Sequence, residues 1–341
     1  MKKLKLSFLI IAMLGGLIFF WLYRNILSPN THFPQKEKVV LVRTGSNYKD
    51  LLRLLVEDSI IKDSSSFQLV ARLKEFGDPI KPGRYIVPNG MNNRALVNML
   101  RAGNQRPLLV PIENTSSLDD LAGLLSKFLE TDSLRFSNYF QDPANSEKIG
   151  LSVELLPSLF IANRYEMFWT ISPEQFIEKM EKIHSAFWTP ERLAKAKEIG
   201  LSPEEVYTLA SIVRSESAKA DEASRIAGLY MNRLSIGMRL QSDPTALFAG
   251  KKKNVQRVWS EDLQVVSPYN TYENAGLPPG PICLVEKNYI DAVLNYERNN
   301  FLYMCAKSDF SGYHNFSRTL AQHETFRTEY RRALNKKNIR R

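Results

Sequence analysis

Stripped of its two ends, the chain has no net charge: residues 25–326 hold 35 basic and 35 acidic side chains. A protein that follows a nucleic-acid backbone carries basic residues in surplus along a face, and this body has none to spare, so nucleic acid is not expected as a partner. The usual signatures of cofactor chemistry are missing too. There is no G-x-G-x-x-G or Walker loop to cradle nucleotide phosphates. The four histidines, His32, His184, His314 and His323, show no ligand spacing, and His323-Glu324 lacks the second histidine of a zincin, so no metal and no other cofactor is expected. G-x-S-x-G does not occur, which leaves no signposted nucleophile elbow. Two cysteines, Cys283 and Cys305, permit one disulfide at most; a pair in an oxidising compartment and two separate buried thiols are both open. Tandem repeats and low-complexity tracts are absent as well. What remains, 44% apolar and 24% charged, is ordinary globular material sized for one or two domains with real cores.

The formal charge of +10 comes from the termini. Residues 1–24 carry Lys2, Lys3, Lys5 and Arg24 and no acid, while residues 327–341 carry seven bases, Arg340 and Arg341 among them, against Glu329 alone. The only long run without a charge is Leu6 to Tyr23 (LSFLIIAMLGGLIFFWLY), 18 residues. As a helix it measures about 27 Å, close to the roughly 30 Å hydrocarbon core of a bilayer, and so can span once. Lysines before it place the N-terminus (1–5) in the cytoplasm and everything beyond Arg24 on the far side. The run exceeds a usual signal-peptide core and no small-x-small cleavage site follows, which favours a retained single-pass anchor over a cleaved signal.

After the span, residues 24–38 have prolines and no periodicity and read as a linker. Val39–Val42 is a short β-branched run. Ser46 or Asn47 can cap a helix carrying Leu51, Leu55 and Val56; Ser64–Ser66 can cap a second with Phe67 and Val70; Tyr85–Val87 then reads as a strand. This βααβ order over residues 39–105 is LysM-like, and one so small is expected to lean on its neighbour. A further strand (Leu108–Ile112) and a helix from Leu118 follow, and beyond residue 151 the pattern is mainly helical. Helices are expected to start near Pro173, Pro190, Pro203, Asp221, Lys287 and Arg318, with a hairpin of Phe301–Ala306 and Tyr313–Phe316 before the last. Lys251–Lys253 reads as a solvated loop. The expected fold is α+β: one transmembrane helix, a small LysM-like βααβ module, and a mainly helical catalytic domain (106–341) with a short β-hairpin.

On the helix after Pro203, Val206, Leu209, Ala210 and Val213 recur at the spacing of one buried stripe. Glu216, three residues after Val213 and seven after Leu209, continues that stripe, so its carboxyl points away from bulk water. Desolvation raises a carboxyl pKa, as a general acid near neutral pH requires. A carboxylate satisfied by Arg225 or Arg233, or one lying over a wet edge of the stripe, is the competing reading, since buried acids are more often paired than catalytic.

Five segments shift the balance: Leu209 to Ser217 (LASIVRSES), Arg225 to Leu234 (RIAGLYMNRL), Gly237 to Thr245 (GMRLQSDPT), Ser267 to Tyr272 (SPYNTY) with Gly276 to Ile282 (GLPPGPI), and Gly312 to Phe316 (GYHNF). In this order they closely resemble the MltG (YceG-like) family of endolytic murein transglycosylases, over the body from Val39 to about residue 335. The resemblance implies a lyase that cuts the MurNAc-β-1,4-GlcNAc bond within peptidoglycan strands and leaves 1,6-anhydroMurNAc ends. It puts the catalytic acid/base at Glu216, the last Glu of an I-V-E-x-E-T motif. The motif departs at two positions, with Arg214 in place of its first Glu and Ser217 in place of its Thr, and in Phe160 to Tyr165 (FIANRY) Arg164 stands where the family usually has Thr. Gln241, Asp243, Tyr269, Asn270 and Asn315 are polar residues in or beside turns, suited to holding sugar; local capping is the alternative for Asp243 and Asn270. With the anchor, the resemblance implies the cell inner (cytoplasmic) membrane, a periplasmic or extracytoplasmic catalytic domain and peptidoglycan strands as partner; anchoring beside the site of wall synthesis points to a peptidoglycan synthase or division complex nearby. An inactive wall-binding or division scaffold of the same fold, and a hydrolase giving reducing ends, are the alternatives.

Overall fold

A computed structural model describes residues 2–252, 255 and 258–337. Lys253, Arg340, Arg341 and the side chains of Lys2, Lys3 and Lys5 lie outside the described residues. The fold is α+β, with fourteen α-helices and three two-stranded sheets among the described residues. The chain divides into two compact units. The first comprises residues 1–110, 128–130 and 166–171, and the second the remainder.

Helix α1 (Lys2–Ile26) carries the apolar run, and its stretch Phe8–Ile26 is long and apolar enough to cross a membrane. Its side chains from Phe8 to Tyr23 find no protein core; Phe8 and Phe19 are 77% and 72% exposed. Strand β1 (Glu37–Val42) pairs antiparallel with β2 (Gly83–Pro88), in a register that sets Val40 opposite Tyr85. Alternate residues Val40, Val42, Tyr85 and Val87 face inward onto two helices, α2 (Tyr48–Glu57) and α3 (Ser64–Leu73). Asn47 and Asp50 close a capping box at the start of α2. The cap of α3 is Asp63, whose carboxylate accepts from the backbone of Ser65 and Ser66, so the serines expected as caps lie inside the helix. Helix α4 (Asn93–Ala102) starts at Asn92 and stops at Gly103, whose φ of 74° only glycine adopts freely.

The βααβ order is thus present. The expected linker is not loose. Asn30 is 5% exposed and its amide bonds Asn93 Oδ1 (2.7 Å), the Asp63 carbonyl (2.9 Å) and the Asp63 N–H (2.8 Å), while Phe33 is 6% exposed in the core. A polar stretch without periodicity gave no sign of this, because the clamp is made by one buried amide rather than by an apolar pattern. Nor does the first unit stop at residue 105. Glu130 belongs to it: its carboxylate accepts from Thr44 N (2.7 Å) and Oγ1 (2.6 Å).

The chain passes through β3 (Leu108–Ile112), α5 (Leu118–Leu125), α6 (Ser133–Gln141), α7 (Pro143–Ile149) and β4 (Asn163–Met167), which forms a two-stranded sheet with β3. Strand β4 lies where a helical region was expected. Only Met167 of its five residues is buried, so it shows no alternation to read. Helices α8 (Pro173–Phe187), α9 (Pro190–Glu198) and α10 (Pro203–Glu216) each begin with proline at the first turn behind a capping Ser or Thr, as expected.

Helix α10 is the centre of the second unit. Every residue from Val206 to Val213 is buried, not one stripe alone. It packs against α11 (Ala223–Ser235), α12 (Asp243–Ala249) and α13 (Lys287–Leu294). The hairpin of β5 (Tyr303–Ala306) and β6 (His314–Ser317) pairs Cys305 with Asn315 and is backed by α14 (Leu320–Lys336).

Candidate active site

Helix α10 ends on Glu216, and the next residue turns to extended backbone with ψ of 134°. The acid therefore sits at the last helical position and is half-buried. Neither arginine considered as its partner reaches it. Arg225 pairs with Glu297 at 3.0 Å, and Arg233, 6% exposed, donates to the carbonyls of Leu302 (2.6 Å) and Leu240 (2.5 Å). Arg214 is also turned away, with its Nε 3.2 Å from Glu286 and its guanidinium 5.3 Å from the Tyr289 ring centre.

Two hydroxyl groups hold the Glu216 carboxyl instead, and both choose the same oxygen. Tyr230 Oη and Ser242 Oγ each donate to Oε1 at 2.6 Å. Burial pushes the Glu216 pKa up, against the opposing pull of these two hydrogen bonds. Asp243 nearby adds to the rise, and the His314 imidazole opposes it more weakly. Burial also holds the Tyr230 phenol well above its ordinary value, so it remains a donor.

Ser242 is itself fixed by a buried hydroxyl chain. Its N–H donates to Thr271 Oγ1 (3.0 Å), its carbonyl accepts from Thr245 Oγ1 (2.7 Å), and the two threonine oxygens lie 2.8 Å apart. Ser242 and Tyr230 were not among the residues singled out from sequence. Both fall within quoted segments, Ser242 between Gln241 and Asp243, yet a serine in a turn and a tyrosine on a helical apolar stripe look like ordinary structural residues.

The five residues expected to hold sugar divide by what their polar atoms do. Gln241 is exposed, with φ of 47°, and its backbone N–H is tied to the Thr271 carbonyl. Asn315 is half-buried on β6. Neither side-chain amide has a hydrogen-bond partner among the described residues. The Tyr269 ring lies 4.8 Å from that of Phe248, tilted by 52°, and burial lifts its phenol to about 12. Asn270 is fully buried: its amide donates to the Leu263 and Val265 carbonyls (2.9 and 2.8 Å) and accepts from Tyr272 N (3.0 Å). Asp243 opens α12 without capping it; its carboxylate accepts from Tyr272 Oη at 2.5 Å, and burial raises its pKa. His314 is engaged by Glu222, 3.1 Å from Nδ1. Both cysteines are free thiols, Cys283 buried with its pKa pushed up to about 11. Among the described residues no group of His, Cys, Asp and Glu is placed to hold a metal ion.

The model of the YceG-like family matches residues 40–329. The endolytic murein transglycosylase of Bacillus subtilis is 26% identical over 335 residues, covering 92% of this chain and 90% of that protein. The endolytic murein transglycosylase of Streptococcus pneumoniae D39 is 27% identical, covering 89% of this chain; the chain spans 61% of that relative's length. A crystal structure of a YceG-like protein from Listeria monocytogenes aligns with a TM-score of 0.58 and 26% identity, over 85% of this chain and 98% of that one.

Proposed function

The chain belongs to the YceG-like family, and on that premise we propose that it is an endolytic murein transglycosylase, a lyase with Glu216 as its acid and base. Glu216 supports this reading most strongly: a half-buried carboxyl without a cationic partner among the described residues, held through one oxygen by two hydroxyls. With Oε1 occupied, the proton resides on Oε2, free to reach a glycosidic oxygen. Glu216 gives that proton to the oxygen leaving C1 of MurNAc. The oxocarbenium-like sugar is then captured by its own C6 hydroxyl, and the Glu216 carboxylate takes the hydroxyl proton as the C6 oxygen bonds to C1. The product is a 1,6-anhydro end. The proton returns to where it began and no water is consumed, so the second catalytic carboxylate of an ordinary glycosidase is not required.

Gln241 and Asn315 offer free amides to sugar hydroxyls, and Tyr269 offers its phenol. A non-glycine residue held at positive φ, as Gln241 is, costs about 1 kcal/mol and is often found at functional sites. Asn270 and Asp243 shape the loops that carry these groups. The βααβ unit serves as a LysM-like glycan-binding module, and α1 as a single-pass anchor in the cytoplasmic membrane with the body outside the cytoplasm. A synthase or division complex is the expected neighbourhood.

Hydrolysis is the second reading, favoured by one observation: Asp243 is a second half-buried carboxyl close enough to influence Glu216. Product analysis separates the two. Peptidoglycan digested by the protein is expected to yield anhydroMurNAc ends by mass spectrometry. Hydrated reducing ends would establish hydrolysis, and no product beside an active control lyase would leave an inactive scaffold. Glu216→Gln is expected to lower cleavage by about 10²-fold or more while the fold is retained; wild-type rates in this variant would remove Glu216 from the mechanism.

A further inference from the structure

Across α10 from Glu216 lies an open cavity of about 870 Å³ that the cleavage chemistry does not use. Arg214 lines it, two residues before Glu216 and so about 200° around the helix. The volume falls in the range of about 300–1,000 Å³ typical of ligand sites. Its charged lining is Glu113, Arg164, Arg214, Glu286, Lys287 and Asp291. Two of the acids are already neutralised, Glu286 by Arg214 at 3.2 Å and Asp291 by Arg192 at 3.0 Å. Arg164 and Lys287 are exposed, and their side chains make no ion pair or hydrogen bond among the described residues; Glu113 is the one acid left in the same condition. The unspent charge is thus two cations and one carboxylate, the complement of a peptide that bears carboxylates and an amine.

Murein carries such peptides on alternate sugars. From a sugar at Glu216 to the cavity is about one helix diameter, 10 Å. An extended peptide of three or more residues, at roughly 3.3 Å each, covers that distance. We propose that this cavity receives the carboxylate-bearing end of the short peptide attached to the glycan, with Arg164 and Lys287 binding its carboxylate. The inference rests on the murein-cleaving reading above and adds to it a site that selects peptide-substituted strands.

The test uses the full chain in detergent, offered peptide-bearing glycan and the same glycan stripped of peptide by an amidase. Wild type is expected to prefer the peptide-bearing strand, and Arg164→Glu with Lys287→Glu to reduce the ratio of the two kcat/KM values about tenfold or more, with Arg164→Lys restoring part of it. An unchanged ratio overturns the proposal. Cleavage of neither glycan by wild type instead sinks the murein-cleaving reading. The cavity is then judged by calorimetry with a free murein pentapeptide ending in D-alanyl-D-alanine. Binding that is lost in the double variant supports the site, and absent or equal binding overturns it. Both residues are exposed, so the variants are expected to fold, which circular dichroism checks.

Discussion

Glu216 presents two oxygens in unlike settings, one doubly hydrogen-bonded and one not. The two bonds favour the ionised carboxyl while burial favours the neutral acid, and burial wins. This balance can be tested through pH. An acid must be protonated to act, so kcat falls as pH rises through the raised pKa of Glu216. Removing a hydroxyl that stabilises the carboxylate raises that pKa further. Ser242→Ala should therefore move the alkaline limb of the kcat profile to higher pH. It should also lower the maximum about tenfold, because the carboxyl loses an orienting contact. A limb that stays in place would mean that Ser242 does not act on Glu216. In the sequence, Glu216 is singled out by the stripe it continues only when that stripe is read together with the five family-like segments. Ser242 is not, since its contact with Glu216 is made 26 residues away in the chain.

Helices announced themselves where proline follows a capping Ser or Thr, as at Pro173, Pro190 and Pro203, since those residues satisfy the unpaired N–H groups of a first turn whatever the helix packs against. Short elements did not. Helix α12 has seven residues and strand β4 one buried side chain, too little for any period to emerge. The close approach of distant segments was equally hidden. Gly228 sits in α11, two residues before Tyr230, where a Cβ would stand 2.1 Å from the Glu297 carbonyl. Gly228→Ala must push that segment off α11, with an expected loss of about 1–3 kcal/mol in urea unfolding. Because α11 carries the phenol that holds Glu216, cleavage should weaken as well. Unchanged stability would show that the 297 segment yields freely.

At the scale of the whole molecule, charge is partitioned: the ends are basic and the middle is neutral. Composition located the long apolar helix and excluded nucleic acid as an expected partner, but it missed how the first unit begins. Asn30 and Phe33 belong to its core. A soluble fragment beginning at Ser28 should thus unfold at a higher urea concentration than one beginning at Lys36. The shorter fragment loses a buried ring and several hydrogen bonds, worth about 3 kcal/mol or more. Equal midpoints would mean that the clamp contributes nothing.

The Asn30 clamp follows closely on the end of α1 at Ile26, leaving Leu27, Ser28 and Pro29 between them. That is about 10 Å of chain even when fully extended. With α1 in a bilayer as proposed, the βααβ fold that follows it within the first unit has almost no slack in which to swing. Under that proposal it drifts with its anchor in two dimensions, and its meetings with substrate are set by lateral diffusion along the membrane surface.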